Sequence, residues 1–444
     1  MFTESQVHRV VDRSSMELPI KKLSDDLLLE IFSVNASNKL TEDFHSITPV
    51  TTTRFSSQVC KHWRHLILGS SSLWGGLLNL DDLIRASNKW RKEVLSRTKT
   101  AMLTVRIGCN PESRRVTSFL LKILDEEWSR IQHLEVLPKH MNWHVKYNYS
   151  WLPILRPTEN LRSFSLHFPV EATPEPLRYR TDLNVLFSGQ APSLRAVSIR
   201  HMHFPLPALW LSQLSELCLE GQFSLDIIME SLTAMPFLEV LEISNWHDAG
   251  FPYPQRPKII LPRLKCLITR GPLGACLLDH IIAPPECGLD FGSPLFVADQ
   301  DLSADLQVLS RYCDGHLKTY NPTIKLLLDS TTFGFHTPRE PKIPPFDIRI
   351  ENILACPRSS AHSLIAPFLE SPASCFLPAT ASHSCLLIPI SPSSSPCCHP
   401  YAIWGRIRKV FVISARSPPK AALPSFHPFS PCIWLPFIRN RWHK

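Results

Sequence analysis

Glycine is scarce in this 444-residue chain, at 14 residues against 40 prolines. That ratio excludes a collagen-like repeat and a flexible Gly-rich linker protein. No run of about 18 apolar residues occurs, so the sequence offers no membrane-spanning helix. The segment from Met1 to Met16 carries charges but no apolar h-region, which argues against a secretory signal. No GxxxxGK[ST], GxGxxG, GxSxG or HExxH string is found, so the familiar phosphate, dinucleotide, nucleophile-elbow and zinc-protease frames are missing. His140 and His144 stand four apart with Trp143 between them, but with no such frame around them they read as surface or capping residues. His201 and His203, which flank Met202, read as loop residues. No enzyme, no metal site and no cofactor is expected.

Charge and cysteine divide the chain in two. Residues 351–444 hold nine Lys/Arg and two Asp/Glu, a net of +7. The first 350 residues hold 47−9=38 basic and 39−2=37 acidic side chains, a net of +1. The body is therefore neutral, and a nucleic-acid partner is not expected except through the basic tail. Seven cysteines lie in the body, odd in number and in no CxxC pair, the pattern of reduced thiols in a cytoplasmic or nuclear protein. Six more lie in the tail, where 14 Pro and 15 Ser take 29 of 94 positions. Proline at that density blocks helix interiors and sheet ladders. Residues 351–444 are thus expected to be a Ser/Pro/Cys-rich, low-complexity, largely disordered tail. A translated intron or shifted frame would have the same composition; sequencing the transcript across residues 340–360 separates the two. A length of 444 residues allows two or three domains ahead of any such tail.

Residues 1–17 are polar and aperiodic, a disordered lead. Residues 18–78 carry helical patterning. Ser24 suits an N-cap, Asp25 and Asp26 suit the first turn, and Leu27, Leu28, Ile31 and Phe32 make an apolar face. Farther on, Phe55, Val59, Trp63 and Ile67 recur every four residues, which predicts one helical stripe through residues 55–67. The Thr-rich insert from Ser33 to Arg54 is expected to be a loop, and Trp74 is expected to be exposed. So small a helical unit holds more apolar surface than it can bury alone.

The segments LSDDLLLEIF (Leu23–Phe32), RFSSQVCKHWRHLIL (Arg54–Leu68) and SSSLW (Ser70–Trp74) resemble an F-box of the type common in filamentous fungi. The most specific part is Val59-Cys60-x-x-Trp63-Arg64 with Leu73-Trp74 downstream. Ser24 replaces the family's usual Pro, and either residue can open a helix. The resemblance spans about 55 residues and implies docking on a Skp-type adaptor, and through it on a cullin. Leu23, Leu27, Leu28, Ile31, Val59, Trp63 and Trp74 are the adaptor-binding candidates it implies, some of which must instead form the unit's own core.

Residues 79–350 repeat a strand-like motif, Leu-x-x-apolar-x-apolar. It appears at Leu161/Phe164/Leu166, Leu194/Val197/Ile199, Leu214/Leu217/Leu219 and Leu238/Leu241/Ile243, with weaker copies from Leu134 and Leu264. Successive starts lie 20 to 33 residues apart. Helices are predicted between copies, over 113–130 and 225–235. The pattern resembles irregular leucine-rich repeats, whose units bury their apolar rows by stacking. The usual Asn or Cys ladder is absent, Asn245 coming one position early. Alternation then sends Ser163, Ser165, His167, Ala196, Ser198, Arg200, then Glu216, Cys218, Glu220, Val240, Glu242 and Ser244 to the solvent side. His167, Arg200, Glu220 and Ser244 are the substrate-binding candidates.

The expected fold class is α+β: a small N-terminal all-α F-box, an irregular leucine-rich-repeat α/β solenoid, and a disordered C-terminal tail. The expected function is that of a non-catalytic substrate receptor in a Skp–cullin–F-box ubiquitin ligase, holding a protein substrate and needing no membrane. The alternative is a leucine-rich-repeat scaffold outside any ligase, in which Ser24 and the insert mark a decayed F-box.

Overall fold

A computed structural model describes residues 19–36, 48–84, 86–108, 114–137, 151–168, 185–202, 204–206, 208–221, 223–244, 257–271, 274–293, 303–320, 323–328, 332–336, 345–351 and 409–414. The expected disordered lead, Trp143, His140, His144, His203 and Asn245 lie outside these residues.

Four short helices come first: α1 (Asp25–Ala36), α2 (Pro49–Val59), α3 (Lys61–Gly69) and α4 (Ser71–Gly76). Local chemistry starts each of the first three. The Ser24 hydroxyl accepts from the Leu27 N–H at 3.4 Å, and Asp25 and Asp26 occupy the positive end of α1. Thr48 accepts from the Thr51 N–H, with Pro49 in the first turn of α2. Cys60 is extended, at φ −155° and ψ 167°, and its Sγ accepts from the Trp63 N–H at 3.5 Å to open α3.

Two expectations fail here. The insert between Ser33 and Arg54 is not all loop: α1 runs on to Ala36, and α2 begins at Pro49. The single stripe through Phe55, Val59, Trp63 and Ile67 does not exist either. The chain breaks at Cys60 into two helices, so Phe55 and Val59 point to solvent while Ile67 is buried.

The chain continues through β1 (Leu78–Asn79), α5 (Asn88–Arg97), β2 (Leu103–Ile107), α6 (Arg114–Glu126), β3 (Ile131–Val136), β4 (Ser163–His167), β5 (Ala196–Arg200) and β6 (Glu216–Glu220). Then come α7 (Leu225–Thr233), β7 (Val240–Ser244), β8 (Ile259–Ile260), β9 (Cys266–Arg270), α8 (Gly274–His280), β10 (Ile281–Ile282), β11 (Gly288–Ser293) and α9 (Ser303–Tyr320). Four further strands follow, β12 (Thr323–Leu328), β13 (Thr332–His336), β14 (Phe346–Glu351) and β15 (Lys409–Ser414).

The fold is mixed helix and strand around a parallel sheet. Strands β1 to β7, then β9, β11 and β14 lie side by side in chain order, each parallel to the last. The far edge turns antiparallel in the order β14-β13-β12-β15. β15 lies inside the segment expected to be low-complexity tail; Lys409–Ser414 is a proline-free island, the kind of stretch that can pair. β8 and β10 make a separate parallel pair.

Each strand of the parallel array buries alternate residues. One continuous row runs Val105, Leu134, Phe164, Val197, Leu217, Leu241, Leu267, Leu289 and Phe346, all buried. The leading leucines Leu161, Leu194, Leu214, Leu238 and Leu264 are buried as well. The predicted copy starting at Leu134 is shifted by three: Leu134 pairs with Phe164, so that unit reads Ile131-x-x-Leu134-x-Val136. Helices α6 and α7 fall within the two predicted helical segments. The predicted boundary at residues 78 and 79 falls inside β1, which pairs with β2. The N-terminal helices and the sheet therefore share one apolar core, running from Leu28 to Ile348.

Candidate functional site

Two surfaces hold the side chains singled out from the sequence. The first is the N-terminal helical layer. Helix α1 has two apolar faces: Leu28, Phe32 and Ala36 point into the core, while Leu27, Ile31 and Val34 recur at i, i+4, i+7 toward solvent. Leu27 is 48% exposed and Ile31 45%, against 1% for Leu28. Helix α2, packed on α1, is inverted. Its buried face is Val50, Thr53 and Ser57, and its exposed face carries Phe55 and Val59, the latter 64% exposed.

Of the seven adaptor candidates, Leu27, Ile31 and Val59 are therefore open to a partner. Leu23 and Trp63 are partly buried against the core, and Trp63 meets Phe32 edge to face at 5.0 Å between ring centres. Leu28 and Trp74 are closed. Trp74, expected to be exposed, is fully buried; its Nε1 donates to the Ile67 carbonyl at 2.8 Å. The Arg97 guanidinium lies 4.6 Å from the centre of its ring and 5.3 Å from that of Trp90, tying α4 to α5. Sequence spacing treats every Trp near an apolar helix alike. Only the packing of α4 on β2 decides that this one is core.

The second surface is the side of the parallel sheet opposite the apolar rows. The predicted rows are in register: Ser163 pairs with Ala196, Ser165 with Ser198, His167 with Arg200, and Arg200 with Glu220. Glu216, Cys218 and Glu220 pair in turn with Val240, Glu242 and Ser244. The side chains form a linked network. His167 Nε2 lies 2.7 Å from Ser198 Oγ, Arg200 reaches Glu220 at 3.0 Å and Glu242 at 3.6 Å, and His201 Nε2 reaches the other Glu220 oxygen at 3.3 Å. His201, expected to be an ordinary loop residue, takes a left-handed φ of 56° that sets its ring beside Glu220.

Burial, with Arg200 nearby, lowers the His167 pKa to about 3, so the imidazole is neutral. Burial, with Glu242 nearby, raises the Cys218 thiol to about 11, which leaves it protonated and unreactive. Ser244 corrects the expectation for its row: it is buried, and no hydrogen-bond partner for its hydroxyl lies among the described residues.

The face extends farther than the sequence motif. Arg106 pairs with Glu135 at 3.3 Å on β2 and β3, and Arg270 with Asp290 at 3.3 Å on β9 and β11. Arg106 and Asp290 were missed because the residues three before Val105 and Leu289 are Met102 and Glu286, where the motif has Leu. The alternation Val105/Ile107 and Leu289/Phe291 was the available signal. Opposite charges thus stand in adjacent strands at β2/β3, β5 to β7 and β9/β11.

Among the described residues no group of His, Cys, Asp or Glu is arranged to hold a metal ion, and no helix is long and apolar enough to cross a membrane. Comparison with protein-family models, with curated proteins and with solved structures finds no match.

Proposed function

We propose that the chain is a non-catalytic substrate receptor of a Skp–cullin–F-box ubiquitin ligase. In this reading α1 to α4 are an F-box and the parallel strands with their return segments are an irregular leucine-rich-repeat solenoid. Leu27, Ile31 and Val59, joined by Phe55, dock a Skp-type adaptor, which brings the cullin. The polar sheet face around His167, Arg200 and Glu220 holds a protein substrate. The subunit supplies proximity and orientation to a ubiquitin-charged enzyme.

One observation carries the reading: α1 and α2 show apolar side chains to solvent although each has already given another face to the core. Full burial of a Leu, Ile, Val or Phe side chain is worth roughly 1.5–3 kcal/mol, so covering this set favours association. Ser24 departs from the family's usual Pro, but its hydroxyl accepts from the Leu27 N–H, so the start of α1 is kept without the Pro. The mixed charge of the sheet face suits a protein substrate better than nucleic acid, which calls for a field of one sign.

Co-purification of the tagged full-length chain with a Skp-type adaptor and cullin tests the assignment. Recovery of both supports it. Recovery of neither, from a folded chain, favours the scaffold alternative with a decayed F-box.

A further inference from the structure

Helices α5 and α6 enclose a cleft of about 290 Å³ whose lining is cationic. Arg91 and Lys92 come from α5, Arg115 and Lys122 from α6, and among the described residues no carboxylate lines the space. On α6, Arg115, Ser118, Phe119 and Lys122 recur at i, i+3, i+4 and i+7, so one helix face builds that wall.

The cations are poorly neutralised. Lys122 meets Glu126 at 3.5 Å, a solvent-exposed pair of little worth. Among the described residues, Arg115 and Lys92 have no ion pair. Arg91 is the telling residue. It is buried, and among the described residues its guanidinium donates to neutral oxygens: the carbonyls of Leu83 at 3.0 Å and Ile84 at 2.8 Å, and Asn88 Oδ1 at 2.9 Å. A buried guanidinium is ordinarily matched by an anion. Here burial, and then the neighbouring Arg115, lower its pKa, the direction expected of a cation held without a counter-charge.

Four like charges around one cleft repel one another, and an anion converts that repulsion into attraction. The Arg and Lys mixture offers both forked and point-charge donors, and Asn88 and Ser118 add polar groups to the lining. The volume lies at the lower end of the range for small-molecule sites. We propose that the α5/α6 cleft binds a compact, multiply charged phosphate compound, such as a free polyphosphate or a small metabolite with more than one phosphate group. This site is separate from both surfaces described above and does not depend on the receptor assignment.

The test is isothermal titration of the full-length chain with inorganic pyrophosphate and tripolyphosphate. Saturable binding of one equivalent is expected. It should weaken at least tenfold in Arg115→Ala/Lys122→Ala, and also in Lys92→Ala. All three side chains are exposed, so the fold should persist, with circular dichroism as the check. Lys258→Ala/Lys265→Ala, remote from the cleft, should stay within twofold of the unaltered chain. Absence of saturable binding overturns the proposal, as does binding unaffected by the cleft substitutions. Equal loss in the remote variant shows general attraction to a basic chain and overturns it too. A phosphoserine peptide that binds in a cleft-dependent way, where both free polyphosphates fail, would replace the small molecule with a modified protein.

Discussion

Individual side chains set the pH response of this protein. His316 is buried between Tyr320 and Phe346, the Phe346 ring centre 4.4 Å away, and no hydrogen-bond partner for either ring nitrogen lies among the described residues. Burial lowers its pKa from 6.5 to about 4. His167 shifts the same way, to about 3. In both, the fold favours the neutral ring. Their stabilising effect is therefore complete above pH 6.5 and is lost as pH falls from there toward the folded values. For His316 the loss is on the order of 2–3 kcal/mol. Melting temperature measured from pH 7 to pH 4 should drop, and His316→Phe should flatten the curve. An equally steep curve in the variant would contradict this. Asp82 behaves in the opposite sense. Burial, then Asp81 beside it, raises its pKa to about 6, and its Oδ2 is buried without a partner among the described residues. Its charged form strains the fold at neutral pH, so Asp82→Asn should stabilise the protein by about 1–2 kcal/mol at pH 7 in urea unfolding. Trp74→Ala should cost about 3–5 kcal/mol because it empties a closed site. Trp63→Ala, at a half-open position, should cost about half that.

At the scale of elements, close approach matters as much as apolar pattern. A Cβ on Gly75 would run into the Met102 carbonyl oxygen, so only glycine lets α4 sit against the start of β2. Gly75→Ala should therefore destabilise by about 1–3 kcal/mol and loosen the N-terminal helices from the sheet, visible as faster amide exchange in α1 to α4. Exchange unchanged from the parent would count against that packing. The elements also show where sequence reading stops. The strands β4 to β7 and β9 were legible because Leu-x-x-apolar-x-apolar states both the alternation and the entry residue, and the polar rows followed from the same parity. Helix α2 was obscured by Val50 and Thr51 to Thr53, β-branched residues that argue against a helix, although Thr48-Pro49 is a sound N-terminal pair. The break at Cys60 carries no Gly or Pro. A thiol is a weak acceptor, so its capping of Trp63 could not be anticipated from spacing. That break, invisible in the sequence, turns Phe55 and Val59 outward while Ile67 stays inside.

Over the whole molecule, one core joins the helical layer to the parallel sheet, so the outward apolar helix faces and the polar sheet face are held on a single frame. The antiparallel edge lies at the other end, and β15 adds a strand there by pairing with β12. Deleting residues 352–444 should leave the parallel core and the N-terminal surface intact, with adaptor affinity within twofold of the full chain. Loss of that affinity would place the tail in the docking surface. The outward apolar faces of α1 and α2 are proposed to be an adaptor interface. Its most direct measurement is titration of a Skp-type adaptor into the full chain and into a Leu27→Asp/Ile31→Asp variant of unchanged melting temperature. Binding to the former and a loss of at least a hundredfold in the latter are expected. Equal affinity for the two chains, or none for either, contradicts the proposal.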